Sequence, residues 1–115
     1  MTRSRCVFCR IVAGEAPASI VHRDDEVVAF HDVTPQAPTH ILVIPTRHIT
    51  SAAELGDGDR ELAGRLILTA TRIADQAGLQ AGYRLVINTG RQAGQSVDHL
   101  HVHILGGRPM KWPPG

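Results

Sequence analysis

The sequence predicts an α+β domain with a mostly antiparallel sheet. Three observations carry this. In His99-Leu-His-Val-His-Ile-Leu105 three histidines alternate with aliphatic residues, and a period of two marks a strand. His40-Ile-Leu-Val-Ile44 is a nearly unbroken apolar run ending at Pro45, which suits a central strand covered on both faces. One long amphipathic helix spans 60–77, and no strand–helix alternation recurs to build a parallel sheet.

The elements follow in order. Cys6-Val-Phe-Cys-Arg-Ile-Val-Ala13 reads as a short helical turn, stopped by Gly14 and Pro17. Residues 20–23 read as a strand, Asp24-Asp25 as a turn and 27–30 as the hairpin partner. Thr34-Pro-Gln-Ala-Pro38 breaks the chain before the central strand. Asp57-Gly-Asp59 is a loop, with Asp59 placed to cap the long helix. Leu62, Leu66, Ala70, Ile73 and Ala77 recur at helical spacing, and Gly78 is placed to terminate it. Residues 83–88 read as a strand and 89–97 as a Gly- and Gln-rich loop. The histidine strand, 99–105, comes next. Prolines and glycines deny the ending, 106–115, regular structure, so its Met110 and Trp112 are expected to pack onto this subunit or a partner.

The 115 residues suit a single domain, its core about 6–107 and its tail 108–115. With 43% hydrophobic and 20% charged residues the chain belongs with folded rather than disordered proteins. The net charge of +1 gives no basic footprint for nucleic acid. Phe8, Phe30, Tyr83 and Trp112 are the only aromatics, too few for a stacking platform along a strand of nucleic acid. The charged start, residues 1–5, is followed by no apolar run of signal-peptide or membrane-spanning length. The expectation is a cytoplasmic protein without a membrane partner, in which thiols stay reduced. Cys6 and Cys9 are then read as metal ligands or a redox pair before a structural disulfide.

On a strand His99, His101 and His103 share one face, while Leu100, Val102 and Ile104 take the other and can enter a core. The plain alternative is a solvated face that happens to use histidine, a residue without special strand propensity. One zinc held by all three is opposed by geometry. Same-face neighbours sit about 6.6 Å apart and the outer pair about 13 Å, whereas Zn–N bonds are about 2 Å. At least one imidazole is therefore left for chemistry. Asn88-Thr-Gly90 ends the preceding strand, and Gly94-Gln-Ser96 lies just before His99. A glycine-containing loop with exposed amides beside imidazoles suits a phosphate, with Asn88 and Ser96 offering hydrogen bonds.

Gln95-Ser-Val-Asp-His-Leu-His-Val-His-Ile-Leu105 resembles the signature of the histidine triad superfamily. The ending Leu105-Gly-Gly-Arg-Pro-Met-Lys-Trp-Pro-Pro-Gly115 is similar to its nucleotide-binding branch rather than to the dinucleotide hydrolases. Phe30-His-Asp-Val-Thr-Pro-Gln-Ala-Pro-Thr-His40 and Val43-Ile-Pro-Thr-Arg-His-Ile49 resemble the same branch, so the likeness runs from about Cys6 to Gly115. It implies a five-stranded antiparallel sheet with one long and one short helix, continued across a homodimer. It implies binding of purine nucleoside monophosphates and hydrolysis of a bond at the α-phosphorus, typically a phosphoramidate. His101 matches the nucleophile, forming a nucleotidyl-histidine. His103 matches the residue that touches the phosphate. Protonated, it would stabilise charge and, with Ser96, assist the leaving amine. His40 matches a supporting histidine, and Asn88, Gly94 and Gln95 match phosphate-loop contacts. Asp32 matches the carboxylate that accepts both ribose hydroxyls. Phe8, Ile11, Phe30, His31 and Val33 match the walls around the base.

Relatives that carry a Cys-x-x-Cys here bind zinc with it, and the resemblance supplies His48 and His99 as the other two ligands. Cys6, Cys9, His48 and His99 would form a closed tetrahedral structural set. Lys111 stands where relatives often have histidine, a difference that bears on leaving-group preference near the dimer edge. The leading expectation is a purine nucleoside phosphoramidate hydrolase with one structural zinc and no organic cofactor. The alternatives are a dinucleoside polyphosphate hydrolase and a nucleotide-binding regulatory or scaffold protein whose hydrolysis is incidental.

Overall fold

The computed structural model describes residues 5–115; the charged start over 1–4 lies outside the described residues. Helix α1 (Val7–Val12) precedes the hairpin of β1 (Ile20–Arg23) and β2 (Val27–His31). Then come β3 (Thr39–Pro45), α2 (Arg60–Gln76), β4 (Tyr83–Val86) and β5 (Val102–Gly106). The strands form one antiparallel sheet in the order β1-β2-β3-β5-β4.

β3 is the middle strand, and its unbroken apolar run has a cause in each face. Ile41 and Val43 join Val27, Ala29, Val102, Ile104 and the α2 residues Leu66, Ala70 and Ile73. Leu42 and Ile44 join Val28, Phe30 and the α1 side, namely Cys6, Phe8, Cys9 and Ile11. Each fully buried aliphatic side chain here is worth about 1.5–3 kcal/mol, so two small cores are clamped on one sheet. α2 buries Leu66, Thr69, Ala70, Ile73 and Ala74, a stripe at helical spacing. Its end is a Schellman closure: Gly78 N–H donates to Asp75 O (3.1 Å) and Leu79 N–H to Ala74 O (3.0 Å). Among the described residues no helix is long and apolar enough to cross a membrane.

Three local expectations change, and a fourth, for Trp112, is narrowed to one of its two options. The histidine strand begins at Val102, not at residue 99. Its pairing with β3 stops at Val43↔Val102. Beyond that, Pro45 has no N–H to offer a ladder, its carbonyl takes the His99 ring (2.9 Å), and Leu100 N–H turns to Ile49 O (2.6 Å). The alternation survives in this extended lead-in, since Leu100 still enters the α2-side core. β4 stops at Val86 rather than residue 88. Asp59 makes no side-chain cap to α2. The carboxylate instead accepts Gly56 N–H (2.8 Å), within a 3₁₀ turn over Asp57–Asp59, and pairs with Arg47. Trp112 is 83% exposed, so it does not pack onto its own subunit.

Candidate functional site

The α1 face of the sheet carries two clusters that share the His99–His103 segment. In the first, the ligand atoms of Cys6, Cys9, His48 and His99 all lie within 4.8 Å of one another. Cys6 Sγ is 3.3 Å from His99 Nδ1, Cys9 Sγ is 3.6 Å from the same nitrogen, and Cys9 Sγ is 3.1 Å from His48 Nδ1. Zn–N and Zn–S bonds of about 2.0–2.3 Å in a tetrahedron put ligand atoms roughly 3.3–3.8 Å apart. The donor set and its spacing therefore fit a zinc ion. α1 brings the cysteines together through one helical turn, with Cys9 N–H donating to Cys6 Sγ (3.4 Å). The His99 ring is fully buried, and its Nε2–H donates to Pro45 O (2.9 Å), which leaves the Nδ1 lone pair turned to the thiols. Cys6 and Cys9 are buried and form no disulfide.

The second cluster is a row of imidazoles, His101, His103 and His40. His101 and His103 stack edge to face with centroids 4.9 Å apart, and Phe8 packs edge-on against His101 at 5.3 Å. Backbone groups decide where the protons sit. His101 Nδ1–H donates to His99 O (2.8 Å), so its Nε2 carries a free lone pair. His40 Nδ1 accepts Gln36 N–H (3.0 Å), which puts the His40 proton on Nε2, 2.8 Å from His103 Nδ1. His103 in turn holds its proton on Nε2. That atom is buried and has no hydrogen-bond partner among the described residues. A buried donor left unmade costs about 1–3 kcal/mol, which an acceptor entering the site would recover.

Burial pushes His103 down to about 4, with His101 and His40 adding to the shift and Asp32 opposing it. His40 is lowered from its ordinary value for the same first reason, against the pull of Asp32. The protonated His103 expected at a bound phosphate is therefore not the form that the free protein favours. In the free protein at neutral pH His103 is a neutral donor, because partial burial beside the buried His101 and His40 rings disfavours charge.

His101 and His103 line a cavity of about 330 Å³ with Ser96, Asp32, Phe8, Ile11, Phe30, His31 and Val33. The structure thus brings the expected wall residues together with the triad. Asp32 Oδ2 is 3.4 Å from His40 Nε2, and Oδ1 accepts Thr34 N–H (2.8 Å). Val33 is 94% exposed at the rim. Val7, Pro17, Ala18, Leu42 and Val97 complete the lining, none of them anticipated as site residues. Leu42 was findable: it lies opposite His103 in the β3–β5 register and two residues from His40, so period two puts all three on one face. Pro17 and Ala18 carry no signal, since only the return of the chain after α1 brings them there.

Asn88, Gly94 and Gln95 do not line this cavity. Gln95 braces the loop instead, donating to Thr50 O (2.7 Å) and Val97 O (3.0 Å) and accepting Gly90 N–H (2.8 Å). Gly94 sits at φ +92°, in the left-handed region a side chain rarely enters. Lys111 is exposed, and its carbonyl accepts from Arg84 (2.8 Å).

Comparison with known proteins places this site in a family. The HIT domain model matches residues 13–110, beginning after the two cysteines. A 14 kDa zinc-binding protein of Brassica juncea is 47% identical over 111 residues, covering 95% of this chain and 98% of its own. A crystal structure of a HIT family hydrolase from Legionella pneumophila superposes with TM-score 0.95 at 47% identity, covering 96% of this chain and all of that one. A zinc-bound histidine triad family protein from Mycobacterium smegmatis superposes with TM-score 0.84 at 32% identity, over 96% and 81% of the two chains. A histidine triad nucleotide-binding protein from Candida albicans superposes with TM-score 0.80 at 27% identity, over 94% and 82%. With the domain model covering most of its length and these relatives spanning nearly all of it, the chain belongs to the HIT domain family, which includes hydrolases and nucleotide-binding proteins.

Proposed function

We infer that this protein hydrolyses purine nucleoside phosphoramidates through a nucleotidyl-histidine on His101, and that it works as a homodimer. One observation carries the reading. His101 Nδ1 is tied to a backbone carbonyl, so a neutral imidazole presents a free Nε2 lone pair in the wall of a cavity that also holds Asp32, Ser96 and His103. The cavity, at about 330 Å³, lies at the small end of ligand sites and suits one nucleotide rather than two. That favours the phosphoramidate over a dinucleoside polyphosphate.

The roles follow from position. Phe8, Ile11, Phe30, His31 and Val33 take the base, and Asp32 accepts the ribose hydroxyls. His101 Nε2 bonds to the α-phosphorus as the P–N bond of the substrate breaks. The nitrogen keeps the bonding pair and leaves as the amine, taking a proton that solvent water supplies through the exposed Ser96 hydroxyl, and the water that attacks in the second step returns one proton to solvent. The phosphorylated ring is then cationic, and its Nδ1–H strengthens its bond to His99 O. Nε2–H of His103 donates to a phosphoryl oxygen, with no change of protonation needed. Water next bonds to phosphorus, the bond to His101 breaks, and the nucleoside monophosphate departs. Asn88, Gly94 and Gln95 belong to the loop that carries Ser96 to the phosphate, and the Gly94 and Gln95 amides brace that loop on Arg91 O (3.0 Å) and Gly90 O (3.1 Å).

Zinc in the cluster of Cys6, Cys9, His48 and His99 supplies a closed structural tie without an open coordination position. Those residues pin His99, whose carbonyl sets the His101 tautomer. The experiment is turnover of adenosine 5′-phosphoramidate against diadenosine polyphosphate, with trapping of adenylylated protein by mass spectrometry. His101→Ala should abolish the adduct and the turnover and keep most nucleoside monophosphate affinity. An active His101→Ala enzyme, or faster turnover of the dinucleotide, would overturn the reading.

A further inference from the structure

We propose that Arg108 is a positioning residue, which sets the tautomer of His103 through the backbone of Gln36 and through His40. The proposal rests on the reading above only in taking His103 as the group that meets the phosphoryl oxygens. Its foundation is a directed chain of hydrogen bonds. An amide N–H never accepts, so Gln36 N–H at 3.0 Å makes His40 Nδ1 the acceptor. The His40 proton is left on Nε2, which gives it to His103 Nδ1 at 2.8 Å. His103 is left with a donor, not a lone pair, on Nε2.

Reversing the first link reverses every other. With its proton on Nδ1, His40 would set a donor against the Gln36 N–H. Its Nε2 would then accept from His103 Nδ1–H, and His103 would turn a lone pair toward an anionic phosphoryl group. The placement of the Gln36 N–H thus decides whether His103 attracts or repels the substrate.

Gln36 lies in a segment between Pro35 and Pro38 that belongs to neither neighbouring strand. Its N–H belongs to the Pro35–Gln36 peptide, and the next peptide, Gln36–Ala37, is held by the C-terminal segment: the Arg108 guanidinium donates to Gln36 O at 3.0 Å and so fixes the Gln36 backbone from its other side. Gly107 brings Arg108 there. At φ +92° it lies against Pro38, and a Cβ would come 2.8 Å from Pro38 Cβ, so only glycine allows this approach. The Gln36 side chain closes the turn on Thr34 O (3.0 Å), and Thr34 N–H is held by Asp32 (2.8 Å). The loop is therefore fastened between the ribose-side carboxylate and an arginine five residues beyond His103.

Long-range ¹⁵N–¹H NMR of the histidine rings in the free protein reads this directly. His40 and His103 should both carry the proton on Nε2. Arg108→Ala should shift both rings toward a tautomer mixture and lower kcat for adenosine phosphoramidate roughly three- to tenfold with little change in KM, the scale of one lost hydrogen bond. Arg108→Lys, which keeps one donor for the carbonyl, should recover most of both effects. A His103 protonated on Nδ1 in the wild-type protein overturns the relay, whatever substrate the enzyme takes. Wild-type tautomers and wild-type kcat in Arg108→Ala, or no recovery of either in Arg108→Lys, remove Arg108 from it. Should Arg108→Ala fail to fold, the wild-type spectrum and the lysine variant still decide.

Discussion

Removing zinc should cost this protein stability before it costs chemistry. The perturbation is chelation, or the double substitution Cys6→Ser/Cys9→Ser. The ligand atoms already stand 3.1–3.6 Å apart in the measured pairs, close to a tetrahedron's edge, so little reorganisation opposes binding. A ligand present at about 1,000 times its dissociation constant stabilises the folded state by about 4 kcal/mol. For a domain near this size each 1 kcal/mol moves Tm by about 4 °C, so chelation should lower Tm by roughly 16 °C. The assay is calorimetry with and without chelator, on protein whose zinc content has been measured. Activity should fall less steeply than stability, because the ion acts through the position of the His99 carbonyl. Thiolates must lose protons to bind the metal, so zinc should leave as pH falls. Zinc at one per subunit together with a Tm shift below about 2 °C would refute the energetic reasoning. Full zinc binding by the double serine variant would refute the ligand assignment.

Three further outcomes are expected. Asp32→Ala should weaken ribonucleotide binding by about 1–3 kcal/mol, the scale of a lost charged hydrogen bond, and leave a 2′,3′-dideoxynucleotide largely unaffected; equal losses for both sugars in calorimetric titrations would count against the diol contact. His103 has its folded value lowered to about 4 and His40 shifts the same way. The unfolded chain therefore takes up protons that the folded one refuses, and stability is lost as pH falls from about 6.5 through 4. In urea unfolding His103→Gln should show a shallower decline over that window than the wild type, and parallel curves would contradict the buried neutral ring. Deleting residues 109–115, which carry the exposed Trp112, should weaken a dimer and change amine preference; unchanged mass by light scattering and unchanged preference would exclude a role for the tail.

Much of the fold was legible because its signals are local and periodic. The run His40–Ile44 announced a strand covered on both faces, and each alternate residue does meet a different core. The stripe through Leu66, Ala70 and Ile73 announced α2. Boundaries were less legible. Nothing local says that β5 must start at Val102, because that depends on its register against β3, where the pairing ends at Val43, two residues before Pro45, which has no N–H to pair. Asp59 looked like a helix cap because its type and place were right. The Gly56 N–H and Arg47, distant or geometrically specific partners, claimed the carboxylate instead.

The sequence by itself determined the antiparallel α+β class, the row of histidines on one face, and the residue types able to hold zinc. Those properties follow from spacing along the chain and from side-chain chemistry. Only the tertiary structure decided the protonation pattern. Whether His101 has a free lone pair, and whether His103 is a neutral donor or an imidazolium, depends on His99 O, Gln36 N–H and the packing of His103 beside two buried rings. Backbone amides and carbonyls are the same in every residue, so a sequence gives no sign of which one a ring will meet. Burial, which sets the charge of that ring, is a property of everything packed around it.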